Sequence, residues 1–300
     1  MLQRHVVKTL FNMGLAISVA LFPAADASAQ SHERFTCTLP DDAGGTNRSA
    51  ALRIVGGTST DWRDWPWQVL LASPSGQGFC GGSIIAPQWI LTAAHCVQNK
   101  RPSDMVVRHG ETRVLSDGTA HRIANVHVHP RYNRSTVEND IALVRLERPI
   151  PNLGAEAIVQ LQSETVERVF APVGSCAVVT GWGHTTHQGT AANTLQQVDV
   201  PIISPELCRS LYHGRTNEQG RALPPIHPTN VCAGYLQGIR DSCNGDSGGP
   251  LVVPDPIHPS GWTQTGITSW GDRCASANSP GVYTRVAPYI AWIDTTIRSN

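Results

Sequence analysis

Apolar residues along this chain of 300 residues fall in short runs that are separated by glycine, proline and other turn residues. The runs have the length of single strands, and many short strands with such punctuation are typical of a sandwich or of barrels. The pattern therefore predicts a mostly β protein. The candidate strands are "WQVLLAS" from Trp67, "DIALVRL" from Asp140, "CAVVTGW" from Cys176, "LQQVDVPII" from Leu195, "GPLVV" from Gly249, "TQTGITSW" from Thr263 and "GVYTRV" from Gly281.

Helical patterns occur at two places only. A short helix is predicted to start at Ser204, because a serine followed by a proline is a common way to begin a helix. A closing helix is predicted from about Pro288, where Tyr289, Ile293 and Ile297 fall on one helical face. The sequence thus predicts strands throughout, followed by a C-terminal helix.

Residues 1–29 have the features of a secretory signal peptide. Arg4 and Lys8 give a positive start, residues 10–22 are mostly apolar, and small residues at 27–29 form a cleavage site. The apolar run is too short to span a bilayer, and no later run reaches that length. We therefore expect removal of the peptide, export to the extracellular space or a periplasm, and no membrane partner.

Charge and cysteine content narrow the partners further. The chain has 23 basic and 23 acidic residues, so no strong field favours nucleic acid. Eight cysteines in an exported chain predict disulfides, with a zinc site as the rival. The chain has no CxxC pair, and His127 and His129 have no obvious third ligand, so no metal site is predicted.

Residues 30–53 form a polar segment without periodicity, which predicts an exposed stretch of chain. Arg53 ends this segment, and "IVGG" from Ile54 has the character of a second chain start. An exposed arginine is accessible to a protease, so the bond after Arg53 is a candidate cut site.

The stretch "DSCNGDSGGP", residues 241–250, is the richest in chemical information. Ser247 is surrounded by Gly245, Gly248 and Gly249, which let the backbone turn tightly and approach a substrate closely. Backbone N–H groups of such a loop can stabilise the oxyanion that forms on an attacked carbonyl. A Gly/Ser turn without chemistry is the alternative.

A serine hydroxyl needs a base to become a nucleophile, and His95 in "LTAAHC" is the candidate. Small apolar neighbours and a disulfide at Cys96 would hold its ring. Asp140 opens an apolar strand, where an acid needs a polar partner, and a carboxylate could orient the imidazole. Alone, His95 is as consistent with a surface residue and Asp140 with a strand-end cap. With Ser247, the three predict acyl-transfer chemistry.

The chain resembles the trypsin/chymotrypsin family of serine proteases over residues 54–300. The resemblance implies an all-β fold of two six-stranded antiparallel barrels, packed against each other, with a C-terminal helix. It implies His95 as general base, Asp140 as its orienting acid, Ser247 as nucleophile, and an oxyanion hole from the N–H groups of Gly245 and Ser247. No cofactor is implied. The motifs, in the family's order, are "RIVGG", "CGGSIIAPQWILTAAHC", "NDIALVRL", "GWG", "CAGY", "DSCNGDSGGP", "SWG" and "PGVYTRV".

The resemblance also implies a specificity pocket. Asp241 lies where the family places the floor of its primary pocket, and a carboxylate there pairs with a substrate arginine or lysine. Ser242 is implied to help bind the basic group, Trp270 to contact the substrate, and Gly271 and Gly281 to keep the walls open. A solvated loop acid is the alternative for Asp241.

Activation by cleavage is implied in the same way. Cutting after Arg53 creates an α-amine on Ile54, which in this family folds inward and pairs with the acid before the nucleophile, here Asp246. Residues 30–53 are then a pro-segment, residues 54–300 the peptidase domain, and the whole chain a zymogen.

Two cysteines depart from the family's pattern. Cys176 matches half of a family disulfide, but its usual partner position is Val253, and Cys37 lies in the pro-segment. They either pair and tether the cleaved pro-segment or are free thiols, and pairing is favoured because exported proteins rarely leave thiols over. The three disulfides that the resemblance implies are Cys80–Cys96, Cys208–Cys232 and Cys243–Cys274.

Three other departures concern the surroundings of the site. Arg273 stands at the pocket rim, where trypsin-like members have glycine, and the loop between Cys208 and Cys232 is longer than in trypsin. The loop that binds calcium in trypsin, around residues 111–121, is shorter and lacks acidic ligands, so no calcium is expected.

The resulting hypothesis is a secreted serine endopeptidase, made as a zymogen, that cuts after Arg or Lys. Its expected partners are protein or peptide substrates, with protein protease inhibitors as candidate regulators. One alternative is the same catalyst with a preference altered by Arg273 and the long loop. The other is a protease-fold binding protein with little or no catalysis, which the presence of His95, Asp140 and Ser247 disfavours.

Overall fold

A computed structural model describes Cys37 and residues 57–116, 118–184, 189–243 and 245–300. All of them belong to one structural unit, Phe35–Asn300. The predicted signal peptide, Arg53 and Ile54 lie outside the described residues. No helix within the described part of the chain is long and apolar enough to cross a membrane.

Fourteen strands and four α-helices occur among the described residues. The strands are β1 (Thr58–Ser59), β2 (Gln68–Ala72), β3 (Gly78–Ala86), β4 (Trp89–Thr92), β5 (Val106–His109), β6 (Thr119–Val128), β7 (Ala142–Leu146), β8 (Gln160–Leu161), β9 (Cys176–Gly181), β10 (Gln196–Ile203), β11 (Asn230–Ala233), β12 (Pro250–Pro254), β13 (Trp262–Trp270) and β14 (Gly281–Arg285). The helices are α1 (Ala94–Val97), α2 (Glu164–Phe170), α3 (Pro205–Tyr212) and α4 (Ile290–Ser299).

The strands form two closed barrels. The first runs β2-β3-β4-β7-β6-β5, and the second runs β10-β11-β14-β13-β12-β9 and closes because β9 also pairs with β10. All pairs within both rings are antiparallel, while β1 adds to β10 and β8 runs parallel to β13. These two six-stranded barrels with a C-terminal helix confirm the predicted all-β fold.

Alternation of side chains along β10 shows how one strand serves the second barrel. Val198, Val200 and Ile202 belong to its apolar core, whereas Asp199 and Pro201 between them are partly exposed. This period of two is what a strand with one buried face requires. The first barrel has its own hydrophobic core, with aliphatic side chains that include Leu71, Ile84, Ile90, Leu143 and Leu146.

The prediction of only two helices is wrong. The helices at Pro205 and near Pro288 are present as α3 and α4, but α2 was missed. Ser163 caps α2 by accepting a hydrogen bond from the Val166 N–H, a recognisable start signal. None of the residues of α2 is buried, so no apolar stripe marks it, and α1 is a single turn that is too short to show a period.

Four disulfides cross-link the structure, and no described cysteine is free. The pairs Cys80–Cys96, Cys208–Cys232 and Cys243–Cys274 are those that the resemblance implies. Cys37 pairs with Cys176 at the start of β9, which joins the predicted pro-segment to the second barrel by a covalent bond.

Candidate active site

His95 lies on the single-turn helix α1, directly after β4 of the first barrel. The neighbouring Ala93 and Ala94 are fully buried, and the disulfide from Cys96 to Cys80 fixes the turn to β3. The His95 side chain remains 31 % exposed. The ring is therefore held by its backbone while one edge stays accessible.

Asp140 is fully buried beside this ring. Its Oδ1 accepts a hydrogen bond from the His95 backbone N–H at 2.8 Å, and its Oδ2 lies 2.7 Å from His95 Nδ1. Ser269 of β13 donates its hydroxyl to the same Oδ2 at 2.6 Å. With Nδ1 carrying the proton toward Asp140, Nε2 is left as the basic nitrogen.

Ser269 is a part of this arrangement that sequence reasoning missed. It is 129 positions from Asp140 along the chain, so the contact leaves no local pattern. The only available signal was its place in the "SWG" motif, next to Trp270, which was predicted to contact the substrate.

Ser247 lies half-buried in the loop before β12. Its carbonyl accepts a hydrogen bond from the Gly81 N–H at 2.7 Å, which ties the loop to β3 of the first barrel. Gly245 and Gly248 on either side have φ of 101° and 79°, a region that favours glycine. The backbone conformation of the loop therefore explains why these two positions are glycine.

The N–H groups of this loop differ in their use. Those of Asp246, Gly248 and Gly249 donate to carbonyls of the fold. Those of Gly245 and Ser247 donate to no acceptor within the described part of the chain. Two unused donors, two residues apart, are what an oxyanion hole requires.

A cavity of about 370 Å³ adjoins Ser247, and a second cavity of about 340 Å³ adjoins His95. Both cavities are lined by Ser269 and Trp270. The predicted nucleophile and base therefore face the same two residues of β13 from neighbouring cavities, with Asp140 buried behind the base.

Asp241 lines the same cavity as Ser247 and is only 4 % exposed. Its Oδ2 accepts from the Ala275 N–H at 3.2 Å, whereas its Oδ1 has no partner among the described residues. Burial raises the pKa of Asp241 to about 8, against the lowering effect of that backbone bond. A buried carboxylate with an unpaired oxygen is chemically able to pair with a cation.

The other predicted pocket residues surround this carboxylate. The Ser242 hydroxyl lies 2.9 Å from the Tyr283 hydroxyl, and Trp270 lines the cavity. A Cβ on Gly281 would lie 3.0 Å from Asp241 Oδ1, and a Cβ on Gly271 would project into open space. Larger side chains at these two glycines would narrow the cavity.

Asp246 is fully buried behind the loop. Its Oδ1 accepts from the Gly183 N–H at 2.8 Å and its Oδ2 from the Cys243 N–H at 2.9 Å. Burial raises the pKa of Asp246 to about 6, while the two backbone bonds lower it. The predicted partner, the amine of Ile54, lies outside the described residues.

The histidines that were weighed as metal ligands have other surroundings. His127 lies against the Trp89 ring, and His129 lies edge-on to Tyr289 and Trp292. Among the described residues, the two groups of metal-donor side chains each contain a disulfide, whose sulfurs are already bonded.

Comparison with known proteins identifies a family that this chain resembles in sequence. The family model described as Trypsin matches residues 54–293. A protein named trypsin from Saccharopolyspora erythraea is 38 % identical over 237 residues, which is 79 % of this chain and 94 % of the relative. The double barrel, the grouping of His95 with Asp140 and the extent of these matches agree, and the chain therefore belongs to the trypsin family of serine proteases.

Proposed function

We propose that this serine endopeptidase is secreted as a zymogen and cuts peptide bonds after Arg or Lys. One observation carries the choice of substrate: Asp241 is buried in the cavity beside Ser247, and one of its carboxylate oxygens has no partner in the described part of the chain. The name of the relative from Saccharopolyspora erythraea, trypsin, supports the same class.

The proposed reaction uses His95 Nε2 as the base. It takes the proton of the Ser247 hydroxyl as the oxygen attacks the scissile carbonyl, and the N–H groups of Gly245 and Ser247 bind the resulting oxyanion. His95 then gives the proton to the leaving amine, which leaves an acyl-enzyme on Ser247. Water, deprotonated by His95, hydrolyses the ester and restores the hydroxyl. Asp140 stabilises the imidazolium in both halves.

Specificity is proposed to come from the unpaired oxygen of Asp241. A guanidinium or ammonium in the cavity supplies the missing partner and favours the ionised carboxylate, despite its burial. A neutral side chain in the same place leaves that oxygen without a partner, which a polar site rejects strongly.

Activation is proposed to follow cleavage after Arg53, with the Ile54 amine pairing with Asp246. The residue before the cut matches the specificity proposed for Asp241, so the process is expected to be autocatalytic. Wild-type protein should accumulate chains that begin at Ile54, while Ser247→Ala should stay uncut after signal-peptide removal. Wild-type zymogen that stays uncut at high concentration, yet is activated by trace trypsin, would mean that a separate protease is required.

A peptide library with all residues varied at the scissile position tests the proposed specificity. Activated wild-type protein should cut after Arg and Lys at least tenfold faster than after any neutral residue. Ser247→Ala, activated in the same way, measures the background from the activating protease. Cleavage chiefly after aromatic or small residues would refute the assignment of Asp241.

A further inference from the structure

The loop that Cys208–Cys232 closes carries a hairpin over residues 215–223, here called the rim hairpin. Thr216 pairs with Ala222, and the Asn217 side chain accepts from two N–H groups of the turn, each at 3.0 Å. These hydrogen bonds within the turn stabilise the tip of the hairpin.

The rim hairpin is fixed to the walls of the primary cavity through Arg215. Its guanidinium donates to Asp272 Oδ2 at 2.7 Å, to Ser279 Oγ at 2.9 Å and to the Asn278 carbonyl at 2.8 Å. Asp272 has a side chain only 3 % exposed, so this ion pair is shielded from solvent. The hairpin and the cavity wall thus form one rigid piece.

The tip of the rim hairpin contributes Asn217, Glu218 and Gln219 to the cavity that contains Asp241. Arg273 is the only cation among the described residues that line this cavity. Its Nη1 lies 3.9 Å from Glu218 Oε1, and its Nη2 lies 3.9 Å from Asp272 Oδ2.

Arg273 is also the group best able to obstruct the cavity. Its guanidinium is chemically the same as the side chain of the proposed substrate, and Asp241 in the same cavity has a free oxygen. Released from the rim, it would repel a substrate cation or pair with Asp241 in its place. The carboxylates of Glu218 in the hairpin and Asp272 in the wall attract the guanidinium of Arg273 toward the rim.

We propose that Glu218 is a positioning residue for specificity: together with Asp272 it holds Arg273 at the rim, so that a substrate cation reaches Asp241. This inference rests on the proposed function, since it assumes that Asp241 binds a basic side chain. It assigns the rim hairpin a role in the primary pocket itself, and Glu218 acts there through Arg273.

The test compares Glu218→Gln with Glu218→Gln/Arg273→Gly in activated protein. The probes are an arginyl amide substrate and benzamidine, a small aromatic cation that reports on the pocket without turnover. In the single variant we expect KM and the benzamidine Ki to rise about 2- to 5-fold, as is typical of an exposed ion pair, with kcat within twofold of wild type. In the double variant both constants should return to those of Arg273→Gly alone.

Glu206→Gln is the matched control, because Glu206 is also an exposed acid that pairs with an arginine, Arg209, but it lines no part of the cavity. It should leave KM, Ki and kcat unchanged. Melting temperature and active-site titration show that each variant is folded and fully activated.

Two results would overturn the inference. Unchanged KM and Ki in Glu218→Gln would show that Arg273 needs no such partner. An equal loss in the presence and absence of Arg273 would show that Glu218 contacts the substrate directly. Failure of the proposed function looks different, since benzamidine would then not inhibit even the wild-type protein.

Discussion

Asp241 and Asp246 lie in the same loop, both buried, yet they are bonded in different ways. Both oxygens of Asp246 accept backbone hydrogen bonds, from Gly183 and Cys243. Asp241 lines the cavity, and its Oδ2 accepts from Ala275, whereas its Oδ1 is buried and has no partner in the described part of the chain. A carboxylate whose two oxygens both accept backbone hydrogen bonds organises the backbone. A carboxylate with one unpaired oxygen is available to a ligand.

Removal of the Ser247 hydroxyl should abolish catalysis without disturbing either carboxylate. Ser247→Ala takes away the nucleophile but leaves Asp241 and Asp246 in place, so kcat should fall by about 10⁵- to 10⁶-fold while benzamidine still binds. Steady-state kinetics and calorimetry on protein activated by removable trypsin measure the two effects. Substantial turnover in a clean preparation would mean that another residue is the nucleophile.

Asp246→Asn should weaken turnover of every substrate alike. The amide cannot accept from both Gly183 and Cys243, and it cannot form an ion pair with the Ile54 amine. We expect kcat/KM to fall about 10²- to 10³-fold, the range for breaking one half of a buried pair. Arginyl and leucyl substrates should lose the same factor. A loss confined to basic substrates would assign Asp246 to recognition and erase its contrast with Asp241.

Asp241→Ser should instead weaken only basic substrates. Loss of a buried charge partner typically costs 2 to 5 kcal/mol, so kcat/KM for arginyl peptides should fall by roughly 30-fold or more. Slow turnover of peptides with a neutral residue should be kept or should rise. Parallel assays on arginyl and leucyl peptides measure the ratio, and an unchanged preference for arginine would remove Asp241 from the pocket floor.

Some features of the site were predictable from the sequence, whereas contacts between distant segments were not. The resemblance to the trypsin/chymotrypsin family implied both acids, the two barrels and the partnership of His95 with Asp140, because it rests on motifs that are visible in the sequence. The bond from Ser269 to Asp140 and the docking of Arg215 on Asp272 were not predictable. Each joins residues more than fifty positions apart, and only the folded barrels bring them together.

The helix α2 was missed for a different reason. Its capping residue, Ser163, is visible in the sequence, but its side chains are not buried and therefore show no apolar period. The helix is held by Glu167, whose carboxylate binds Arg285 of β14 through two hydrogen bonds. An ion pair between distant segments stabilises it, and such a pair leaves no periodic signal.

A pH titration of stability should also separate the two carboxylates, because their folded pKa values differ. Burial raises the pKa of Asp241 to about 8 and of Asp246 to about 6, both above the unfolded value of 3.8. Folding then favours the neutral acids, so their contribution to stability is full below about pH 4 and is lost as pH rises through each folded pKa. In the uncut Ser247→Ala chain, denaturant unfolding should show stability that falls steeply between about pH 4 and pH 6, falls less steeply from there to about pH 8, and then levels off.

Asp241→Asn in that background should remove the decline between about pH 6 and pH 8 and make the decline below pH 6 less steep, because the amide has no proton to release. A cation in the pocket has the opposite dependence, since it binds the ionised form of Asp241. In activated protein, benzamidine affinity should therefore rise by up to about tenfold per pH unit and level off above about pH 8. Affinity that is constant from below pH 6 to above pH 8 would mean that Asp241 is already ionised across that range, and that its free oxygen does not carry the linkage.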